Sequence, residues 1–194
     1  MSRSISGINA ALAEGYAAFQ SGDLAAAGRA YQRALAADPR NKDALLGLAA
    51  VNLRTGSFKS AEGYYLRVLE IDPRDPDANA GMVSLRGRSD PVQSESRLKT
   101  LIAANPDAAA LHFALGNQLA VQSRWAEAQA AYFRAVTIEP ENPDYAFNLA
   151  VSLDQLRQAR PALEYYQRAL ALAGARAASF NKAQVETRIR ELQR

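Results

Sequence analysis

One set of residues returns five times along this chain at a spacing of 34, or once 33. Small side chains fall at Ala27, Ala61, Ser94, Ala128 and Ala162, and bulky ones four positions later at Tyr31, Tyr65, Leu98, Tyr132 and Tyr166. Helix breakers follow at Pro39, Pro73, Pro106, Pro140 and Gly174. A fixed period in the range of roughly 20–50 residues marks a repeat array, in which one supersecondary unit recurs and buries its apolar side only against its neighbours.

The first repeat shows why these residue types recur. From Ile8 to Ser21, the residues Leu12, Gly15, Tyr16 and Phe19 stand at helical spacing; Gly22 breaks the run and Asp23 is placed to cap a second helix. In that second helix the small Ala27 lets a neighbouring backbone approach, while Tyr31 and Leu35 fill the space toward the next pair. Asp38 precedes Pro39, whose ring pushes it out of the α region and ends the helix, so the chain turns into its next repeat at Asn41.

A period of 34 residues is that of tetratricopeptide helix pairs. The segments GDLAAAGRAYQRALAADPRN and GSFKSAEGYYLRVLEIDPRD resemble that family's second helix and terminating turn. The resemblance spans residues 8–176. It implies an all-α, right-handed superhelical solenoid of helix-turn-helix repeats with a concave, peptide-binding inner face. By register the five repeats run 8–41, 42–75, 76–108, 109–142 and 143–176, after a flexible N-terminal tail over 1–7 and before a C-terminal capping helix within 177–194.

The third repeat departs most from the pattern. It is one residue shorter and carries RGRSDPVQSESRLKTLIAANP, with Ser94 and Leu98 where other repeats have Ala and Tyr. Asp90 before Pro91 reads as an N-cap followed by proline at the first helical position. The stretch Gly81 to Ser89 is either a hinge or ordinary drift in a middle repeat, and drift is the simpler reading. After Gly174 the period stops, yet SFNKAQVETRIRELQ places Phe180, Val185, Ile189 and Leu192 along one side. A helix of that kind covers the apolar end that the last repeat leaves exposed, or else docks on a partner.

Composition excludes several function classes. At 194 residues, 48% hydrophobic and 22% charged, the chain reads as one soluble, mostly helical domain. It has no cysteine, which excludes disulfides and thiolate metal sites and fits either a reducing cytoplasm or a bacterial periplasm. No stretch approaches the ~20 apolar residues of a membrane span, and MSRSISGINAALAEG lacks the apolar run of a secretory signal. The formal charge of +3, from 23 Lys and Arg against 20 Asp and Glu, is too small and dispersed for a nucleic-acid footprint. The single histidine, His112, stands at the register of Leu45 and Ala11, where a structural imidazole is expected rather than a catalytic one. Pairs such as Glu139 with Glu141 and Asp75 with Asp77 flank turn prolines, where carboxylates cap helices or face water. Neither the glycine-rich phosphate loop nor the dinucleotide fingerprint occurs. The expectation is a chain that is not an enzyme and uses no cofactor and no metal.

Recognition remains, and the resemblance implies that the first helix of each pair lines the concave face. One register of those helices gives Leu12, Leu46, Ala80, Phe113 and Phe147; the next gives Tyr16, Ala50, Ser84, Asn117 and Val151; a third gives Phe19, Leu53, Gly87, Ala120 and Asp154. The lining is apolar and aromatic. Tetratricopeptide co-chaperones that grip acidic chaperone tails carry Lys or Arg and Asn at the first two registers. Here Leu12, Tyr16, Leu46 and Ala50 stand there, which argues against an acidic-tail receptor. Asn117 and Asn148 either clamp a ligand's main chain between Phe113 and Phe147 or simply cap a loop carbonyl or face water, and together with the two rings the clamp is the stronger reading.

The second half, AALHFALGNQLAVQSRWAEAQAAYFRAVTIEPENPDYAFNLAVSLDQL followed by ALEYYQRALALA and SFNKAQVETRIREL, resembles the repeat portion of bacterial accessory proteins of type IV pili, of the mannose-sensitive haemagglutinin type, and of related type II secretion systems. That resemblance implies a scaffold or adaptor in pilus or secretion assembly, binding an apolar or amphipathic peptide or helix of another protein. The competing class is a self-associating module whose groove or terminal helix makes a homo-oligomer; a third is an enzyme or small-molecule sensor using the groove as a pocket. As it stands the chain is expected to be soluble and cytoplasmic. If Met1 is not the natural start, it is expected to be the periplasmic part of a protein tethered at the inner membrane.

Overall fold

A computed structural model of the chain describes residues 2–86 and 91–194. These form eleven helices: α1 (Ser2–Ser21), α2 (Leu24–Ala37), α3 (Lys42–Arg54), α4 (Phe58–Ile71), α5 (Pro76–Arg86), α6 (Pro91–Ala104), α7 (Ala109–Val121), α8 (Trp125–Ile138), α9 (Pro143–Gln155), α10 (Ala159–Ala175) and α11 (Lys182–Leu192). That count fits five helix pairs and a C-terminal helix. No described helix is long and apolar enough to cross a membrane.

Local chemistry sets the boundaries. Asp23 accepts a hydrogen bond from the Ala26 N–H, Asn41 from Ala44, Asp75 from Ala78, Asn142 from Asp144 and Tyr145, and Asn181 from Gln184. Each satisfies amide groups that the first helical turn leaves unpaired. Before Pro39 and Pro73, Asp38 and Asp72 are extended, with φ of −138° and −140°, and close α2 and α4. Within the first two pairs the turn is made by Gly22 and Gly56 at positive φ, and in the last two pairs by Ser123 and Arg157 at φ 58°.

The recurrent tyrosines pack into notches cut by glycine. The Tyr31 ring lies against Gly15 of α1 and Gly47 of α3, where an added Cβ would stand 2.7 and 2.5 Å from ring carbons. Tyr65 fills the same kind of notch at Gly81 of α5, and Tyr132 at Gly116 of α7. The small residues four positions earlier, Ala27, Ala61, Ala128 and Ala162, are fully buried. Buried polar groups on first helices tie down the turn before them: Asn79 donates to the Pro73 carbonyl at 3.2 Å, and His112 Nε2 to the Pro106 carbonyl at 2.8 Å. His112 thus helps to hold the turn before α7.

The described residues group into two compact units, Met1–Leu85 and Arg86–Arg194, where composition suggested one domain. In a repeat array contacts run only between neighbours, so a boundary can fall inside a repeat. The first unit has its core in Leu45, Ala49, Tyr65, Val68, Ala78 and Met82, with a second cluster of Ala27, Tyr31, Leu48 and Val51. The second unit is built on one cluster that includes Leu119, Tyr132, Tyr145, Leu149, Leu153, Tyr166 and Val185.

Three expectations change. The tail expected over 1–7 gives way to helix, since α1 already begins at Ser2 and that segment contains no proline to break it. Gly174 does not end its helix; α10 runs on to Ala175, because glycine weakens a helix without removing a backbone donor. Phe180 is not on the terminal helix, which starts at Lys182 behind the Asn181 cap. Of the stretch Gly81 to Ser89, read as ordinary drift, Gly81 to Arg86 are helical. The Asp90 cap and Gly87 lie outside the described residues.

In the second unit Glu95 of α6 meets Arg124 Nη1 at 2.5 Å and Lys99 Nζ at 2.6 Å. The guanidinium first and then the ammonium hold its carboxyl at about 2, below the ordinary 4.5. A depressed carboxyl contributes stability that is complete above its unfolded value and lost as pH falls through the folded one. The melting-temperature advantage of the parent over Glu95→Gln should therefore shrink as pH drops from 4.5 to 2; an advantage constant over that window means that the ion pair contributes nothing. The notches give a sharper test. Gly47→Ala should lower stability by about 1–3 kcal/mol through overpacking, whereas Gly63→Ala, in α4 with open space around it, should raise it by about 0.4–1 kcal/mol. Circular dichroism melts that move both variants upward together would remove the notch as a packing contact.

Candidate functional site

In the second unit the first helices α7 and α9 each present a phenylalanine at one register, and both rings rest on core tyrosines. Phe113 packs on Tyr145 with ring centres 4.7 Å apart and on Tyr132 at 5.8 Å. Phe147 packs on Tyr166 at 6.1 Å, and its other neighbour is Phe180, stacked at 4.7 Å with 20° between planes. These rings border a cleft of about 260 Å³ lined by Phe113, Asp144, Phe147, Asn148, Ser179 and Phe180.

The cleft's polar groups come from α9 and the segment after α10. Asn148 stands at the register of Gly47 and Gly81, so a side chain with an amide projects where earlier repeats have none. One of its N–H groups donates to the Asp144 carbonyl at 2.8 Å; its amide oxygen has no partner among the described residues. The Asp144 carboxylate accepts from the Ser179 main-chain N–H at 2.6 Å and from its hydroxyl at 2.9 Å. Such a site can bury an apolar side chain between rings while an amide meets a main-chain group beside it.

The structure brings together only some of the residues expected to line a groove. Phe113, Phe147 and Asn148 share the cleft. Asn117 is not one of its walls: its amide oxygen accepts the Tyr132 hydroxyl at 2.9 Å, and burial pushes that phenol's pKa up, so it stays a donor. Val151 is half-buried against the core of the second unit. In the first unit Leu12 and Phe19 are half-buried beside Tyr31 and Leu48, and Leu46 and Leu53 beside Leu45 and Tyr65. The Arg54 guanidinium lies 5.3 Å from the centre of the Phe19 ring. Tyr16 is 58% exposed, the most open aromatic of that set.

Asp144, Ser179 and Phe180 were not legible as cleft residues. Their one signal is spacing: the helix caps Asn142 and Asn181 stand 39 apart, where the repeat period is 34. Asp154, on the third register, is engaged elsewhere. Its carboxylate takes Nε and Nη2 of Arg188 at 2.7 Å each and the Tyr166 hydroxyl at 3.2 Å, and Arg188 chiefly holds its pKa below the usual value. This pair fastens α11 to α9. Arg188→Met should accordingly speed hydrogen exchange of residues 182–192 while leaving α7 unchanged; equal exchange in both proteins would show that Val185, Ile189 and Leu192 hold the helix alone.

A family model described as Tetratricopeptide repeat matches residues 12–76 and 83–146. No curated protein matches the chain significantly. Among solved structures, a thermophilic tetratricopeptide repeat protein of Thermus thermophilus is similar at 23% identity and a TM-score of 0.75, over 96% of this chain and 98% of that one. PilW, described as a widely conserved type IV pilus biogenesis factor, is similar at 17% identity and 0.62, over 96% and 90%. PilF of Pseudomonas aeruginosa is similar at 18% and 0.61, over 97% and 90%. At these identities the likeness is one of fold.

Proposed function

Because the chain belongs to the tetratricopeptide repeat family, a fold that serves as a protein-interaction scaffold, we propose that it is a non-enzymatic adaptor that binds a peptide or helix of another protein in the apolar groove of its first helices. The observation that carries this reading is the cleft between Phe113 and Phe147. Two aromatic rings, half-buried and continuous with the core, border a hollow that also holds the Asn148 amide. Partly exposed aromatics around a concavity are the usual anchors of protein recognition. The proposed partner is an apolar or amphipathic segment. Its apolar side chains bury against the rings, and Asn148 meets its main chain.

The setting we propose is bacterial pilus or secretion-system assembly. It is supported by the fold likeness to PilW and by the resemblance of the second half to pilus accessory repeats.

The test is calorimetry with peptides selected from a random-sequence library on the parent chain, repeated on Phe113→Ala, Phe147→Ala and Asn148→Ala at low and high salt. Truncating an anchor ring should cost about 2 kcal/mol, roughly thirtyfold in affinity. Salt should change binding little, because few ion pairs contribute. Unchanged affinity in all three variants, or a steep loss with salt, removes this groove as the binding surface. A mass that rises with concentration in the absence of peptide would favour the self-associating module instead.

A further inference from the structure

Elsewhere the second helix of one pair is joined to the next first helix by residues 38–41, 72–75, 105–108 or 139–142; after α10 the connection runs 176–181. The added length is not slack. Ser179 gives both its main-chain N–H and its hydroxyl to the two oxygens of the Asp144 carboxylate, and the next residue stacks its ring on Phe147. A main-chain donor, a hydroxyl and an anchoring ring on consecutive residues are what an extended peptide would offer to the same wall.

We propose that residues 179–180 are a resident pseudo-ligand: the site made by Phe113, Asp144, Phe147 and Asn148 recognises an extended segment with Ser or Thr followed by an aromatic residue, and the chain's own Ser179–Phe180 holds it until a partner presenting that pair displaces them. The inference rests on the groove reading above and adds the ligand's chemistry. Two oxygens of one carboxylate accept the paired amide and hydroxyl of a single residue, which selects Ser or Thr over residues without a short hydroxyl and repels an acidic one. The ring that follows stacks on Phe147 in an offset arrangement. A segment tethered this closely competes at an effective concentration on the order of millimolar, so a partner has to bring more than the dipeptide. The cleft of about 260 Å³ that remains beside Phe180, bordered by Phe113 and Asn148, gives it a first foothold.

The experiment is selection of a random-sequence peptide library on the full chain carrying Phe180→Ala, followed by calorimetry of the enriched peptides on that variant and on the parent. The enriched peptides should share Ser or Thr before Phe, Tyr or Trp, and should bind Phe180→Ala about tenfold more tightly than the parent, the factor for a site open in roughly a tenth of the molecules. On the parent they should speed hydrogen exchange of residues 176–181. Phe180→Leu and Ser179→Ala, which keep apolar cover or the ring itself, serve if Phe180→Ala does not fold, and each should show a smaller gain in the same direction. Enriched peptides without that pair, no enrichment, or equal or weaker binding to the Phe180 variants than to the parent overturns the proposal. Failure of the groove reading looks different: affinity that survives Phe113→Ala and Phe147→Ala alike.

Discussion

The ring of Tyr31 lies so close to Gly15 and Gly47 that neither position has room for a methyl group. One aromatic side chain from a second helix thus bears on two consecutive first helices, while Tyr65 meets a glycine on the following first helix, Gly81, and Tyr132 one on the first helix of its own pair, Gly116. Close packing makes such an interface stiff, because a ring in a notch without a Cβ has few other positions. The first helices α1, α3, α5 and α7 each lie against such a ring.

The cleft of the second unit rests on tyrosines in its turn. Phe113 rests on Tyr132 and Tyr145, and Phe147 on Tyr166, so the cleft's rings continue the core outward. Tyr132 also donates to Asn117, which joins the wedge to the neighbouring face by a hydrogen bond whose donor burial keeps protonated. Side chains set on helices in this way are held more precisely than side chains on loops, since their rotamers are fixed by packing from behind.

A quasi-one-dimensional array needs an end. In the second unit α11 provides it with Val185 buried, Ile189 and Leu192 partly covered, and Arg188 bonded to Asp154. The helix stands where the first helix of another pair would, and its charged outer side faces water. Reaching that place requires a longer connection than the other repeats use, and the excess residues, Ser179 and Phe180, fold onto α9.

The period of the sequence settled the helices, their pairing and the buried Ala and Tyr positions, because each follows from local spacing, capping and the need to bury one side of a helix. With the family resemblance added, it also pointed to Phe113, Phe147 and Asn148, which the fold leaves half-buried around one cleft. It did not indicate that Gly81 is a notch for Tyr65, that Asn117 serves Tyr132, or that Asp154 is held by Arg188, since each depends on a partner at least 12 residues away. The largest gap is Phe180. Helical spacing put it on the terminal helix, and only the folded chain shows its ring on Phe147. Periodicity reports what a segment can form by itself; which side chains meet across segments is decided by tertiary packing, where a few inserted residues redirect a ring from one surface to another.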